Sequence, residues 1–260
     1  MRKIFEWLGG FALVVFSFYF TDKVSLMVAN KSDLMQEIKA VSSTYELEAE
    51  DAVIDIKDNT IVPGRFGRIV NSEESYLSMH DFGSFNENFL VFDYIKPKNS
   101  LEDNKDKFIT SGNPKNRQIS FIVVENEEIE KFFDESKIEY NKVLKNYSSV
   151  STNVEIINGA STKSDFSEMH AKLKNVSKLC LKEESNIALC EKQSYYLLSP
   201  SVTFTNTNLI DVKNSVRPGA IILIASGATK ENVKFILKEI DYKDLDIVHI
   251  SKLIDEKGNR

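Results

Sequence analysis

The chain has 260 residues, of which 42% are hydrophobic and 28% are charged, and its formal net charge is −6. These fractions are typical of a folded globular protein and exclude an intrinsically disordered chain. Lysine and glutamate are interspersed along an acidic sequence. The chain therefore lacks the concentrated basic surface that nucleic acids require, and we expect no nucleic-acid partner.

The chain begins with a basic segment followed by an apolar one. Arg2 and Lys3 precede a mostly apolar run over 4–20. Such a run is read as a membrane-insertion signal whose cationic end stays in the cytoplasm. Because no small-residue cleavage site follows, we predict that 1–23 is a retained signal anchor, a transmembrane helix, and that 24–260 is extracytoplasmic in a single-pass protein of the cell membrane. The alternatives are a removed signal peptide and a buried helix of a soluble domain.

Two segments separate the anchor from the main domain. Residues 24–50 combine helically spaced apolar side chains with a polar stretch from 42, which predicts a juxtamembrane helix and a linker. Residues 51–106 predict a small α+β module. Its predicted elements are strands at 52–56, 60–62 and 89–92, and a helix that is capped by Asn71 or Ser72 and ends at Gly83.

From Arg117 onward, strand and helix patterns alternate. The predicted strands lie at 118–124, 154–157, near 179, and at 195–198, 220–225 and 247–250. The predicted helices lie at 127–136, 167–175, 185–192, 230–240 and 251–256. This alternation is typical of βαβ units, so an α/β domain with a parallel sheet or barrel is predicted over 107–260.

Several segments are similar to one protein family. These are QISFIVV (118–124), INGASTKSDFSEM (157–169), SNIALCEKQSYYLLSPSV (185–202), PGAIILI (218–224) and KFILKEIDYKDLDIVHISKLI (234–254). They resemble the NodB-homology domain of polysaccharide deacetylases. The stretches 61–79, 85–92 and 109–121 resemble the segment that precedes this domain in membrane-anchored Firmicute proteins. The resemblance implies a NodB-like incomplete (β/α) barrel behind a small α+β module and an N-terminal transmembrane helix.

The catalytic motifs of that family are missing from the chain. Active members hold a divalent metal with an aspartate and two histidines, use a second aspartate as base, and add an arginine and a further histidine. The corresponding positions hold Val124-Glu125 for the aspartate pair, Gly159 and Lys163 for the paired histidines, Cys180 for the arginine and Ala225 for the last histidine. The chain contains three histidines, His80, His170 and His249, and none falls on these positions.

This pattern predicts a protein without a catalytic site. A catalytic zinc-type site needs about three protein ligands and a bound water, so we expect no metal, no cofactor and no deacetylase activity. The polar candidates that remain at the predicted strand ends are Glu125, Asn126 and Asn158. We expect a non-enzymatic role in binding a cell-envelope glycan or an envelope protein. The alternatives are a divergent esterase or hydrolase acting on cell-wall polysaccharide, and a scaffold that carries the 51–106 module.

The two cysteines, Cys180 and Cys190, are ten residues apart. An even number of closely spaced cysteines outside the cytoplasm suggests a disulfide bond. The alternative is a pair of reduced, buried thiols. Two cysteines without a neighbouring histidine do not form a zinc site.

Overall fold

The computed structural model describes residues 15–17, 27–145, 150, 152–160, 162–200 and 202–258. The predicted anchor at 1–23 therefore lies, apart from 15–17, outside the described residues. Within the described ranges, no helix combines the length and apolar character needed to cross a bilayer.

The described part of the chain contains the following elements. The helices are α1 (Asp33–Tyr45), α2 (Ser72–Met79), α3 (Glu127–Ser136), α4 (Lys163–Lys172), α5 (Ile187–Lys192), α6 (Leu209–Ser215), α7 (Lys230–Tyr242) and α8 (Ile250–Leu253). The strands are β1 (Val53–Asp55), β2 (Thr60–Val62), β3 (Gly67–Val70), β4 (Phe92–Ile95), β5 (Phe108–Ile109), β6 (Gln118–Val123), β7 (Tyr140–Leu144), β8 (Val154–Asn158), β9 (Leu179–Leu181), β10 (Tyr196–Leu198), β11 (Val202–Phe204), β12 (Ile221–Ile224) and β13 (Asp246–Ile247). Short 3-10 helices cover His80–Phe82, Glu87–Phe89 and Glu102–Asn104.

The chain divides into two compact units. The N-terminal unit comprises Met1–Glu48 and Gly67–Ile95, and the barrel unit comprises Ala49–Phe66 and Lys96–Arg260. This division differs from the predicted module at 51–106. The physical reason is strand pairing, because β2 lies beside β5 in parallel register and thereby joins the sheet of the barrel unit.

The N-terminal unit packs two helices with one antiparallel strand pair, β3 and β4. Helix α1 begins where the Ser32 side chain accepts a hydrogen bond from the Met35 N–H, and α2 begins where the Asn71 side chain accepts one from the Glu74 N–H. Both are N-caps, which satisfy donors that the first turn leaves free. A small core of Ile38, Val70, Met79 and Leu90 holds the unit together.

Two curved sheets form the barrel unit. One has the order β1-β2-β5-β10-β9, and the other has the order β11-β12-β6-β7-β8 with β13 beside β6. Except for the β1–β2 hairpin, all of these strand pairs are parallel. Isolated bridges join Ile156 to Val176 and Ser111 to Ala220, and thus link the two sheets. The strands therefore form an incomplete barrel surrounded by helices.

Alternation along the strands separates two apolar layers. Phe121 and Val123 of β6 belong to a cluster that includes Phe133 of α3, so they face the helices. Ile122, between them, belongs to a second cluster with Ile157 and other strand residues that point into the barrel. Side chains two residues apart on a strand share a face, which explains why every second residue enters the same layer.

The amino end of the barrel is closed by the C-terminal segment. The N–H groups of His249, Ile250 and Ser251 donate to side chains of Glu139, Asn141 and Glu155, respectively. These three N–H groups belong to the start of α8 and have no partner within that helix. Side chains from β7, β8 and the residue before β7 thus act as caps and fix α8 against the strands.

Most predicted elements of the barrel unit are present, with shifted ends. The predicted strand at 247–250 ends at Ile247, and α8 starts at Ile250, because the first-turn N–H groups are capped by the strand side chains described above. The sequence patterns did not predict β5, β7, β11 or α6 of this unit. In the N-terminal unit, the strand predicted at 89–92 begins only at Phe92. The predicted polar linker from residue 42 is helical as far as Tyr45.

Candidate functional site

The candidate site lies at the carboxyl ends of the parallel strands, where barrels of this type place their functional groups. Val124, Glu125 and Asn126 follow β6, Asn158 ends β8, and Ala225 follows β12. Parallel pairing of β12, β6, β7 and β8 brings these ends to one rim of the barrel. The predicted positions thus belong to the same end of the fold.

Val124 takes the place that the resemblance assigns to an aspartate, and its surroundings are apolar. It is partly buried against the cluster inside the barrel, together with Val143 of β7 and Leu223 of β12. Three aliphatic side chains therefore line the inside of the barrel near its carboxyl end. An ionised carboxylate in this position would lose hydration without gaining a partner.

Glu125 is exposed and has a backbone φ of 49°. This left-handed conformation is uncommon for a residue other than glycine, asparagine or aspartate. Here it turns the chain sharply between β6 and the cap of α3. The side chain of Glu125 therefore stands at the solvent-facing rim.

Asn126 has a structural role. Its side-chain oxygen accepts from the Ile129 N–H at 3.2 Å and caps α3. Its amide nitrogen lies 3.2, 3.4 and 2.9 Å from the carbonyl oxygens of Ala225, Ser226 and Ala228. One side chain thus joins the helix to the loop after β12, and both of its polar atoms are engaged within the protein. A contact between Asn126 and a glycan stays a prediction.

Asn158 is fully buried. Its side-chain oxygen accepts from the Ala160 N–H at 3.0 Å, while its amide nitrogen has no partner among the described residues. Its main-chain carbonyl accepts from the Ser185 hydroxyl, which also accepts from the Leu181 N–H. The residue anchors the loop after β9 to the end of β8, and its side chain does not reach the exposed rim.

Gly159 stands where the resemblance places the first of two histidines, and the structure leaves little room for a side chain there. A Cβ built on Gly159 would lie 2.7 Å from Cγ1 of Val143 and 3.2 Å from the carbonyl oxygen of Leu144. A contact of 2.7 Å is well inside the usual separation of two carbon atoms. Lys163, the position of the second histidine, is an exposed residue at the start of α4.

Cys180 and Cys190 form a disulfide bond, with their Cα atoms 6.3 Å apart. The bond joins β9 to α5, and both cysteines belong to the apolar layer between strands and helices. Cys180 therefore faces away from the interior of the barrel. An arginine at this position would point into a buried layer rather than toward the rim.

The described residues enclose a small cavity at the carboxyl end. A cavity of about 30 Å³ lies there, lined by Leu181, Lys182, Glu183, Ser199, Pro200, Thr203 and Leu223. This volume suits one or two water molecules rather than a sugar ring. An ion pair of 3.2 Å between Lys145 and Glu184 connects the residues that follow β7 and β9.

The histidines lie elsewhere. His80 pairs with Asp81 in the N-terminal unit, and His249 directly precedes α8 at the amino end of the barrel, where its side chain makes no capping hydrogen bond. His170 on α4 is exposed, but its ring also contacts the hydroxyl of Tyr195. Partial burial and, next, the charge of Lys178 lower the pKa of His170. Among the described residues, no three His, Cys, Asp or Glu side chains are grouped as metal ligands.

A larger cavity, of about 330 Å³, lies at the opposite end of the barrel, among the amino ends of β8, β9 and β10. Its lining includes Glu155, Tyr196 and Glu256, which sequence reasoning did not single out. These residues are far apart in the chain, so no motif joins them. One signal was available: Glu155 interrupts an otherwise apolar strand, and a buried charge in such a place needs a partner.

Comparison with known proteins identifies the type of fold. No family model matches the chain. Over 97 residues it is 34% identical to the uncharacterized protein YlxY of Bacillus subtilis, which covers 37% of this chain and 30% of YlxY. The match thus spans less than a third of the length of that relative.

Two solved structures resemble nearly the whole chain. Wild-type BA3943 of Bacillus anthracis, described as a CE4 family pseudoenzyme, has a TM-score of 0.59 and 19% identity and covers 88% of this chain and 97% of its own. A mutant of BA3943, described as having restored enzymatic activity, has a TM-score of 0.59 and 19% identity, with coverages of 88% and 100%. The chain thus has an α/β fold similar to that of the CE4 family protein BA3943. The predicted resemblance to deacetylase-like α/β proteins is thereby confirmed at the level of the fold.

Proposed function

We propose that the protein is a catalytically inactive, deacetylase-like protein that binds a glycan or a protein partner in the cell envelope. The observation that carries the inactivity is the packing at Gly159. Where an active relative would hold a metal-binding histidine, the space for a Cβ is already occupied, 2.7 Å from the Val143 side chain. The fold similarity to a CE4 pseudoenzyme supports the same conclusion.

The other catalytic positions add to this argument. Val124 packs with aliphatic neighbours in the barrel, and Ala225 offers only a methyl group beside the loop that Asn126 holds. Metal-assisted hydrolysis needs a Lewis acid, a base and an acid, and each contributes several kcal/mol to lowering the barrier. Because the metal ligands, the base and the acid are all replaced in this chain, all three contributions to lowering the barrier are lost.

Without catalytic groups, the rim at the carboxyl ends of the strands is left with binding as its function. Glu125 and Lys182 are exposed there, and Lys145 and Glu184 form their ion pair on the same side. Such groups suit hydrogen bonds and ion pairs with a surface ligand rather than enclosure of a small substrate. The predicted anchor would place this rim in the cell envelope.

The decisive experiment measures chemistry and binding on the same protein. A fragment comprising 24–260 is incubated with acetylated chitooligosaccharides and with peptidoglycan, with zinc, cobalt or manganese added, and acetate release is assayed. We expect a rate equal to that of buffer, together with retention of the fragment on insoluble cell-wall material. An active deacetylase serves as the positive control.

Two results would change the proposal. Acetate release that depends on metal and disappears in Glu125→Ala would favour the alternative of a divergent esterase. Absence of both acetate release and cell-wall retention would leave an envelope protein as the partner, to be identified by crosslinking in intact cells.

A further inference from the structure

The cavity at the amino ends of β8, β9 and β10 has a defined chemical lining, and all of the residues that line it belong to the barrel unit. Phe66, Leu101, Leu179 and Ile254 provide apolar walls. At about 330 Å³ it lies at the lower end of the range for small-molecule sites. It is about tenfold larger than the cavity at the carboxyl end.

Glu155 supplies an unused acceptor to this cavity. The residue is 8% exposed, and its Oε2 accepts from the Ser251 N–H at 3.1 Å. Its Oε1 has no hydrogen bond from the described residues, although Glu155 lines the cavity. Because Oε1 is not fully enclosed by protein, it is open to the cavity, where a donor on a ligand can replace water. The free oxygen is therefore ready for a donor that enters the cavity.

The cavity is also lined by two aromatic residues, Phe66 and Tyr196. The hydroxyl of Tyr196 has no hydrogen-bond partner in the described part of the chain, while Lys105 lies 5.3 Å from the centre of its ring. Lys257 lies 5.7 Å from the centre of the Phe66 ring. Both aromatic rings of the lining thus already contact ammonium groups of the protein, as rings with a negative face do.

The charge of the lining is complementary to a cation. It includes four carboxyl groups, those of Glu102, Glu155, Asp255 and Glu256, against two ammonium groups, those of Lys178 and Lys257. Both lysines are exposed, whereas Glu155 and Glu256 are buried. Glu256 is already satisfied, because its two oxygens accept from the N–H groups of Gly64 and Leu101. The inner part of the cavity is therefore acidic.

We propose that this cavity binds a small organic amine, in which one primary ammonium group is attached to a ring. The ring would pack against Phe66, Leu179 and Ile254, and the ammonium would donate to Glu155 Oε1 and to the Tyr196 hydroxyl oxygen. An organic amine fits better than a metal ion, because among the described residues no group of three metal-ligating side chains exists. The site is separate from the rim discussed above and does not depend on the function proposed for it.

Two matched pairs of compounds test the charge and the kind of ring. Glucosamine and N-acetylglucosamine differ in the ammonium group on a sugar ring, and benzylamine and benzyl alcohol differ in it on an aromatic ring. Binding is measured by calorimetry and by ligand-observed NMR on the 24–260 fragment. We expect at least one amine to bind at least about tenfold more tightly than the matched uncharged compound. A buried charge that lacks its oppositely charged partner costs more than about 1.4 kcal/mol, which corresponds to this factor. The pair of compounds that shows this difference in affinity identifies whether the ligand carries a sugar ring or an aromatic ring.

Variants then locate the site. Glu155→Gln keeps an acceptor for the Ser251 N–H but removes the charge, so it should weaken amine binding at least about tenfold, and Tyr196→Phe should weaken it by a smaller factor. Glu231→Gln, at an exposed position in the first turn of α7 that does not line the cavity, is the matched control and should leave binding unchanged. Thermal melts of each variant verify folding.

Three outcomes would overturn the proposal. They are failure of both amines to bind at millimolar concentration, equal binding of amine and uncharged partner, and unchanged binding in a folded Glu155→Gln variant. If Glu155→Gln does not fold, Tyr196→Phe and Glu102→Gln provide the same comparison, with the exposed Glu102 expected to matter less than Tyr196.

Discussion

The side-chain oxygen of Asn141 accepts a hydrogen bond of 3.1 Å from the main-chain N–H of Ile250, a residue 109 positions later. The amide nitrogen of the same Asn141 donates to the carbonyl of Phe121 at 2.7 Å and to the Ser120 hydroxyl at 3.1 Å. The Ser120 hydroxyl in turn donates to the carbonyl of Val248. One fully buried asparagine therefore joins β6, β7 and the C-terminal segment.

We predict that Asn141→Ala destabilises the protein by about 3 kcal/mol. The substitution leaves the Ile250 N–H and the Phe121 carbonyl without this partner in a buried setting, and each unsatisfied group costs roughly 1–3 kcal/mol. Urea denaturation of the 24–260 fragment measures the change. Asn214→Ala, at an exposed position of α6, is the control and should change stability by less than about 0.5 kcal/mol. Equal stability of the two variants would contradict the assigned role of Asn141.

This network also shows what the sequence could and could not reveal. The alternation in QISFIVV predicts a strand, and the structure has β6 at that position. The same pattern does not reveal that Ser120 forms hydrogen bonds inside the protein, because one of its partners, Val248, lies 128 positions later in the chain. Local periodicity carries the order of strands and helices, whereas the pairing of buried polar groups is a property of the assembled fold.

The site shows a similar contrast. The loss of catalytic residues is visible from their positions in the sequence, but the packing of Val143 against Gly159 is not. β7 was missed because YNKVL mixes polar and apolar residues, and only the structure shows that Asn141 is buried between two strands. The cavity lined by Glu155 and Tyr196 combines residues from β8 and β10, so it could not be found before the strands were placed.

A second prediction concerns the disulfide bond. We expect the protein purified without reductant to contain no free thiol, with an intact mass lower by the two hydrogens lost on oxidation. Cys180→Ser together with Cys190→Ser should lower the free energy of unfolding by about 3 kcal/mol, from the chain-entropy relation for a loop of this length. Thiol titration in denaturant and urea denaturation provide the measurements. Two reactive thiols in protein prepared under oxidising conditions would contradict it.

A third prediction concerns the location of the protein. If 1–23 is a retained anchor, protease added to intact protoplasts should digest the bulk of the chain, while a cytoplasmic control protein stays intact. Fractionation should recover the full-length protein with the membranes. A shortened form in the culture medium would instead indicate a removed signal peptide. Replacement of Arg2 and Lys3 by glutamate should reduce the fraction in the predicted orientation.

The fourth prediction is a pH effect from Glu256. Burial is the main cause that raises the pKa of its carboxyl group, although the N–H groups of Leu101 and Gly64 oppose the shift. A carboxyl whose pKa is higher in the folded state binds more protons there, so its contribution to stability is full below the unfolded pKa and decreases as the pH rises through the folded pKa. The stability of the natural protein relative to Glu256→Gln should therefore decrease from pH 4 toward neutral pH. Urea denaturation at several pH values checks the sign, and a relative stability that increases over this range would contradict it.

The last prediction tests the packing that carries the proposed inactivity. Gly159→Ala should destabilise the protein by roughly 1–3 kcal/mol, because its Cβ would meet Cγ1 of Val143 at 2.7 Å in a closely packed site. Val143→Ala removes that Cγ1, so the same glycine substitution should cost much less in the Val143→Ala background. The difference between the two costs is the coupling energy of the pair, and we expect it to exceed about 0.5 kcal/mol. Gly227→Ala serves as the control, since a Cβ there would have no neighbour within 4 Å. Equal costs of Gly159→Ala in the two backgrounds would show that the Val143 side chain does not block the position.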